Sequence, residues 1–313
     1  MTGTTDIWKG LAARHAQTRD RSILSLFDAD PGRPCSFSAS LDYDDGEPGR
    51  LLFDFSKTNI DGQSLTLLLR LAEASGLDQR RAAMFAGDRI NETESRAVLH
   101  VLLRGTADPA VPTAWLKDAE RTRARMADFA VAVRSGRFVA QGGTVTDVVN
   151  IGIGGSDLGP AMACLALAPW HDGPRTHFLS NVDGAHAADL LRPLDPARTL
   201  VVVASKTFTT VETMTNAATV RDWLAAGGVA TPAAQMVAVS SAADRAADWG
   251  IPAERVFGFG DFIGGRYSVW GPVGLALMLA IVPWVQAGQA QSPFVTVMQT
   301  IGIPGATGVM NFV

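Results

Sequence analysis

The decisive stretch of this chain is Val148-Val149-Asn150-Ile151-Gly152-Ile153-Gly154-Gly155-Ser156-Asp157-Leu158-Gly159-Pro160. Its apolar, β-branched start predicts a buried strand, and the glycine cluster predicts a tight turn into a helix. The free N–H groups and the dipole at a helix start both favour an anion such as phosphate. Gly154 and Gly155 let a ligand approach the main chain, and Ser156 can cap the helix or donate to a phosphate oxygen. We therefore expect a phosphorylated ligand at this turn.

Neither of two common nucleotide-binding loops matches this turn. A Walker A loop requires lysine after its last glycine, whereas Gly155 is followed by Ser156. The pattern G-x-G-x-x-G, begun at Gly152, requires a third glycine where Asp157 stands. The apolar run at 177–183 does end in an acidic residue, where dinucleotide-binding folds place a ribose-binding carboxylate. A nucleotide-binding oxidoreductase therefore stays open as an alternative.

A second polar turn follows the strand predicted at 199–204. It reads Ser205-Lys206-Thr207-Phe208-Thr209-Thr210, and a helical pattern begins directly after it. Several hydroxyl donors and an ammonium group at a helix start suit the oxygens of a phosphate monoester. A threonine-rich helix cap gives the same local pattern. Both turns, however, are expected at the carboxyl edge of one parallel sheet, where open α/β folds bind ligands.

The third polar turn is Gly264-Gly265-Arg266-Tyr267-Ser268. Paired glycines let the backbone turn sharply and direct Arg266 into a cleft. Its guanidinium is permanently charged, so it can neutralise phosphate or a developing oxyanion. An arginine on a surface loop is the alternative interpretation. The glycine pair before Arg266 and the apolar run after it favour a functional site.

The chain as a whole predicts an α/β protein in three parts. Residues 1–140 form a mainly helical N-terminal region, 141–281 an α/β domain, and 282–313 a divergent uncharged tail. Five strands alternate with helical spacers, at 145–151, 177–182, 199–204, 235–239 and 255–259. This alternation predicts right-handed βαβ units and a parallel sheet flanked by helices. Helices are also predicted at 97–103 and 269–281, with His100 as a core or interface histidine.

Composition narrows the classes of partner. The 313 residues carry a formal net charge of −4 and no run of lysine or arginine, which argues against a nucleic-acid partner. The two cysteines, Cys35 and Cys164, are far apart, so they predict free thiols in a reducing cytoplasm and no metal site. The first residues lack the apolar core of a signal peptide.

Taken in order, these motifs resemble the phosphoglucose isomerase family. The matching stretches lie at 149–160, 180–184, 205–210 and 261–268, with further similarity at 53–57 and 87–100. The resemblance covers about residues 50–281. It implies a sugar-isomerase-type domain with a five-stranded parallel sheet, and a homodimer. The implied activity is the interconversion of glucose 6-phosphate and fructose 6-phosphate in glycolysis and gluconeogenesis, without a cofactor.

The resemblance also implies the roles of individual residues. Arg266 is the catalytic arginine beside the enediolate. The substrate-binding residues are Gly155, Ser156, Ser205, Lys206, Thr207, Thr210 and Gly265.

The chain departs from the family after residue 281. Arg266 is its last charged residue, and 267–313 contain no Asp, Glu, Lys, Arg or His. Residues 269–281 resemble the family's buried helix; a membrane span is the alternative, but two glycines and a proline interrupt it. We interpret 282–313 as an out-of-frame or damaged gene end, with the family's second sheet domain missing.

This departure affects the expected activity. In the family the base glutamate, the ring-opening histidine and a catalytic lysine come from the part that the sequence does not match. We therefore expect a retained half of the substrate pocket and severely reduced turnover. The alternative is a non-catalytic sugar-phosphate-binding module.

Overall fold

The computed structural model describes residues 3–44, 48–104 and 108–281. These residues divide into two compact units, one of residues 3–84 and one of residues 85–281. The tail expected at 282–313 lies outside the described residues. Within the described part of the chain, every helix is too short or too polar to cross a membrane.

The first unit consists of helices and one antiparallel hairpin. Its elements are α1 (Thr4–Thr18), α2 (Ile23–Ala29), α3 (Arg33–Ser36), β1 (Ser38–Asp44), β2 (Pro48–Asp54), α4 (Gly62–Ala74) and α5 (Leu77–Ala86). Arg33 is buried and donates hydrogen bonds to the carbonyl oxygens of Ser56, Thr58 and Ile60. One guanidinium therefore satisfies three carbonyl groups of the segment that leads into α4.

The second unit carries the strands that the sequence predicted. Its elements are α6 (Thr113–Arg134), β3 (Val139–Ala140), β4 (Gly143–Thr144), β5 (Asp147–Ile151), α7 (Leu158–Ala166), β6 (Arg175–Leu179), α8 (Gly184–Leu191), β7 (Thr199–Ala204), α9 (Val211–Ala226), β8 (Met236–Val239), α10 (Ala243–Asp248), β9 (Val256–Phe257) and α11 (Leu275–Ile281). Strands β5 to β9 form one five-stranded sheet in the order β6-β5-β7-β8-β9, and every pairing is parallel. The structure confirms the predicted α/β fold.

The sheet is buried on both faces because side chains alternate along each strand. On one face Val201 and Val203 pack with residues of α8 and α9. On the other face Leu200 and Val202 pack with residues of α6 and α11. Every residue of β5 and β7 is buried, which explains why these strands are rich in valine, leucine and isoleucine at successive positions.

The direction in which the chain adds strands to the sheet reverses between β5 and β7. The chain forms β5 first, continues to β6 on one side of it, and returns to β7 on the other side. The connections leaving β5 and β7 therefore diverge at their carboxyl ends. In open α/β sheets such a crevice is the usual place for a ligand.

Two helices predicted from sequence differ from the structure. At 97–103 the structure has a loop followed by a 3₁₀-helix, His100–Arg104, and the N–H of Leu99 donates instead to Phe262 O. At 269–281 the α-helix begins only at Leu275, because Gly271 and Pro272 interrupt the run and the preceding residues form 3₁₀ turns.

A buried carboxylate with two basic partners lies at the opposite edge of the sheet. Asp147 opens β5, its side chain is 1% exposed, and its carboxylate lies 2.9 Å from both Arg175 and His177 at the start of β6. Burial opposes ionisation of this carboxyl. Hydrogen bonds from Arg175, His177 and Thr146 outweigh that effect, so the pKa of Asp147 lies below its usual value.

Candidate functional site

The first predicted turn lies directly after β5. The chain passes from Gly152 through a 3₁₀ turn, Gly154–Ser156, into α7. Gly154 has a φ of +60°, which glycine adopts without steric cost. The side-chain amide of Asn150 donates to Ser156 O at 3.1 Å and fixes the turn from below. The side chain of Ser156 does not cap α7, since no side-chain hydrogen bond forms at the start of that helix.

The second predicted turn lies after β7, the neighbouring strand. Ser205 is only 4% exposed, and its Oγ lies 3.1 Å from Oγ1 of Thr210. The hydroxyls of Thr207 and Thr209 lie 2.7 Å apart at the surface. Thr210 occupies the N-cap position of α9 but makes no capping hydrogen bond. Two pairs of hydroxyls and a helix start without a side-chain cap therefore lie within the turn 205–210, which suits the oxygens of a phosphate.

The backbone of the second turn is held in an uncommon conformation. Phe208 has a φ of +54°, in the left-handed region that side chains rarely adopt, and the residue is buried. Arg245 donates to Thr207 O at 2.7 Å, and Lys206 O accepts from the N–H of Ser241 at 3.0 Å. Such an outlier persists only where the surroundings fix it, and it is common at ligand sites.

The third predicted turn touches the first one through main-chain atoms. Gly155 lies so close to Gly265 that a Cβ on Gly155 would stand 2.3 Å from the Gly265 carbonyl carbon and oxygen. Arg266 follows on the surface, and its guanidinium makes no ion pair within residues 3–44, 48–104 and 108–281. The sequence thus brings an unpaired arginine to the crevice between β5 and β7.

A cavity of about 330 Å³ opens beside these turns. Its wall includes four of the eight predicted site residues, which are Ser156, Lys206, Gly265 and Arg266. Gly155, Ser205, Thr207 and Thr210 belong to the same turns but do not line this cavity. A volume of this size is at the lower end of that of small-molecule sites.

One wall of the cavity was not predicted as part of the site. Asn91, Glu94 and Arg96 line it, and they belong to a turn closed by main-chain hydrogen bonds of 3.1 and 3.2 Å between Asn91 and Arg96. Arg96 Nε lies 3.7 Å from the carboxylate of Asp261. None of these residues was assigned to the site from the sequence, because the contact between Arg96 and Asp261 joins residues that are distant along the chain.

Two groups near the turns have shifted pKa values. Burial lowers the pKa of Lys206, and the positive charge of Arg96 lowers it further, while Asp261 and Glu94 act in the opposite direction. Burial raises the pKa of Asp157, which follows the first turn, although a hydrogen bond from Ser180 and the charge of His186 oppose the rise. Across the described ranges, no group of three or more His, Cys, Asp or Glu could hold a metal ion.

Comparison with known proteins identifies the family to which these turns belong. The family model described as phosphoglucose isomerase matches residues 54–286. The chain belongs to the phosphoglucose isomerase family. A glucose-6-phosphate isomerase of Cereibacter sphaeroides (strain ATCC 17025 / ATH 2.4.3) is 60% identical over 282 residues, which are 88% of this chain and 51% of that protein. A glucose-6-phosphate isomerase of Brucella ovis is 54% identical over 273 residues, which are 86% of this chain and 48% of that protein.

A solved structure agrees with this assignment. The crystal structure of a glucose-6-phosphate isomerase from Chlamydia trachomatis matches with a TM-score of 0.71 and 26% sequence identity, covering 98% of this chain and 56% of that chain. The chain spans about half the length of the curated phosphoglucose isomerase relatives that it matches.

Proposed function

We propose that this chain binds a hexose 6-phosphate as part of the glucose-6-phosphate isomerase reaction. The observation that carries the proposal is the junction of the three turns. Hydroxyl groups of Ser205, Thr207 and Thr210 belong to the turn before α9, and Arg266, which has no ion-pair partner among the described residues, lines the cavity together with Lys206 of that turn. The names of the relatives supply the substrate, because they are glucose-6-phosphate isomerases.

The hydroxyls of the second turn and the guanidinium of Arg266 are proposed to bind opposite ends of the substrate. A phosphate dianion accepts several hydrogen bonds, so the second turn suits the phosphate end. Aldose–ketose isomerisation moves a proton between C1 and C2 through an enediol, on which negative charge develops. A guanidinium placed beside that oxygen stabilises the charge, and Arg266 is proposed to supply it. Ser156 and Gly155 are proposed to line the space between the two ends.

We further propose that this chain alone turns over its substrate slowly or not at all. The proton transfer requires a positioned general base. The carboxylates that line the described cavity, Glu94 and Asp261, lie 3.6 and 3.7 Å from the guanidinium of Arg96. Each of these carboxylates therefore already has a cationic partner in the chain. This pairing favours the second candidate function, a sugar-phosphate-binding module without catalysis.

Calorimetric titration and a coupled isomerase assay test both proposals. The full chain should bind fructose 6-phosphate in a 1:1 complex and should not bind fructose, since the phosphate supplies most of the contacts. The double variant Ser205→Ala, Thr207→Ala should lose this binding, whereas Thr219→Ala, an exposed hydroxyl on the same helix, should not. Unchanged affinity in the double variant would remove the phosphate assignment. Turnover at an enzyme-like rate would exclude the binding-only candidate.

We infer a cytoplasmic location from the two cysteines. Cys35 is exposed and Cys164 is buried, and neither forms a disulfide. Burial raises the pKa of the Cys164 thiol to about 11, so this thiol stays protonated at neutral pH. Unpaired thiols are usual where glutathione keeps cysteine reduced.

A further inference from the structure

The ammonium group of Lys206 is occupied by main-chain carbonyls rather than by a neighbouring carboxylate. Its Nζ donates to Asp261 O at 2.9 Å and to Ile263 O at 3.4 Å. Both carbonyls belong to the segment that leads directly into Gly264-Gly265-Arg266. Since an ammonium has three donors, two of them already serve to hold this segment.

The same segment, 261–263, is also held by Arg96, which lines the cavity, and by Leu99. The N–H of Leu99 donates to Phe262 O at 3.0 Å. Arg96 Nε lies 3.7 Å from the Asp261 carboxylate. All three residues of the segment are therefore fixed by partners from elsewhere in the chain.

A third contact fixes the residue that follows Arg266. The ring of His100 stacks on Tyr267 with centroids 4.1 Å apart and planes inclined by 13°. His100 is 8% exposed, so this contact is sheltered from water. Arg266 thus lies between two anchored stretches. The intervening Gly264-Gly265 pair would otherwise leave its backbone free to turn.

We propose that Lys206 and Arg96 are positioning residues, which fix the segment 261–263 and thereby the place where Arg266 enters the cavity. This inference rests on the proposed function, because Arg266 acts on the sugar end of the bound hexose phosphate. It also changes the part expected of Lys206. Its main chain belongs to the phosphate-binding turn, but its ammonium group stabilises the arginine turn.

Hydrogen–deuterium exchange of the full chain tests, without any ligand, whether Lys206 and Arg96 hold the segment 261–263. Lys206→Met removes both donors, and exchange of the amides in 261–268 should become about tenfold faster. Lys206→Arg keeps a cationic donor within reach of the carbonyls and should restore most of the protection. Lys57→Met removes an exposed lysine of the first unit, whose side chain is 82% exposed, and should change nothing in 261–268. Arg96→Gln is an independent variant with the same expected direction and a smaller effect.

Binding of two probes separates a positioning role from a phosphate-binding role. Inorganic phosphate should bind Lys206→Met about as well as the unaltered chain, because the hydroxyls of Ser205, Thr207 and Thr210 are untouched. Fructose 6-phosphate should bind about tenfold more weakly, because its sugar end depends on the place of Arg266. A purely destabilising substitution would weaken both probes alike, and so would the loss of a direct phosphate contact.

Each outcome decides one of the two proposals. Unchanged exchange of 261–268 in Lys206→Met would overturn the positioning role. Equal loss of both probes, or failure of Lys206→Arg to restore protection, would also overturn it. If the unaltered chain binds neither phosphate nor fructose 6-phosphate, the proposed function fails, while the exchange experiment still decides whether Lys206 holds the arginine turn.

Discussion

Gly155→Ala tests whether the contact between the first and third turns builds the site. The added Cβ would stand 2.3 Å from two main-chain atoms of Gly265, whereas ordinary contacts begin at 3.4 Å. The two turns would therefore have to separate by about 1 Å. Neither obstructing atom belongs to a flexible side chain, so the backbone itself must move.

The cost of this movement can be stated for stability and for binding. Overpacking of a well-packed region usually costs about 1–3 kcal/mol in the free energy of unfolding. A displacement of about 1 Å in an active site can cost on the order of 100-fold in function. We expect Gly155→Ala to bind fructose 6-phosphate at least about tenfold more weakly than the unaltered chain.

Urea denaturation and calorimetric titration measure these two effects. Gly265→Ala is the matched control for stability, because its Cβ would meet only Gly155 Cα, at 3.9 Å. Gly184→Ala is the control for binding, because a Cβ there would meet no atom within 4 Å. If Gly155→Ala is as stable as Gly265→Ala and binds like Gly184→Ala, the contact between the two turns does not shape the site.

Three further predictions concern the rest of the fold and site. Arg266→Met should weaken fructose 6-phosphate in titration but leave inorganic phosphate unchanged; equal loss of both would place the phosphate at Arg266 instead. Asp147→Asn should lower the free energy of unfolding by about 1.5–3 kcal/mol, because the buried position loses charge-assisted hydrogen bonds to His177 and Thr146; a urea midpoint equal to that of the unaltered chain would contradict this. The pKa of Asp147 is depressed in the folded state. Its contribution to the free energy of unfolding is therefore fully present above the unfolded pKa, about 3.9, and is lost as pH falls through the folded pKa. Acid unfolding curves of Asp147→Asn should show a weaker dependence on pH in that window. Arg33→Met should destabilise the first unit by about 3 kcal/mol, because it leaves three carbonyls without their donor; proteolysis that is no faster within residues 3–84 would count against it.

The strands of the sheet were predictable because their signal is local. Residues 147–151 and 199–204 are buried on both faces, so each consists mainly of apolar, β-branched residues and is followed by a polar turn. The turns could be placed at one edge because parallel strands share their carboxyl ends. The order of strands in the sheet follows from the packing of helices on its two faces, and the sequence does not show it directly.

The less predictable features depend on contacts between distant residues. Residues 97–103 have a helical pattern, but Phe262 takes the N–H of Leu99 and only a 3₁₀ turn forms. The ammonium of Lys206 reaches carbonyls 55 and 57 residues away along the chain. No periodicity or spacing signals such a contact. From the sequence, Lys206 therefore received a substrate-binding role only because its neighbours along the chain have one.

The close packing at Gly155 is another contact between distant residues that the sequence does not show. The sequence explains why a glycine suits a phosphate-binding turn, because a ligand can approach its main chain. The structure adds a different reason, since the space beside this glycine is filled by the backbone of Gly265. Both reasons exclude a side chain at this position. The second reason became visible only in the structure, where the two turns lie in contact.

A crystal structure of the full chain with glucose 6-phosphate would show which turn holds each end of the substrate. We expect the phosphate within hydrogen-bond distance of the hydroxyls of Ser205, Thr207 and Thr210. The C1–C2 end of the sugar should lie beside Arg266, with Lys206 still bound to the carbonyls of 261 and 263. A phosphate held by Arg266 and the Lys206 ammonium, or a sugar phosphate ordered away from these turns, would contradict it.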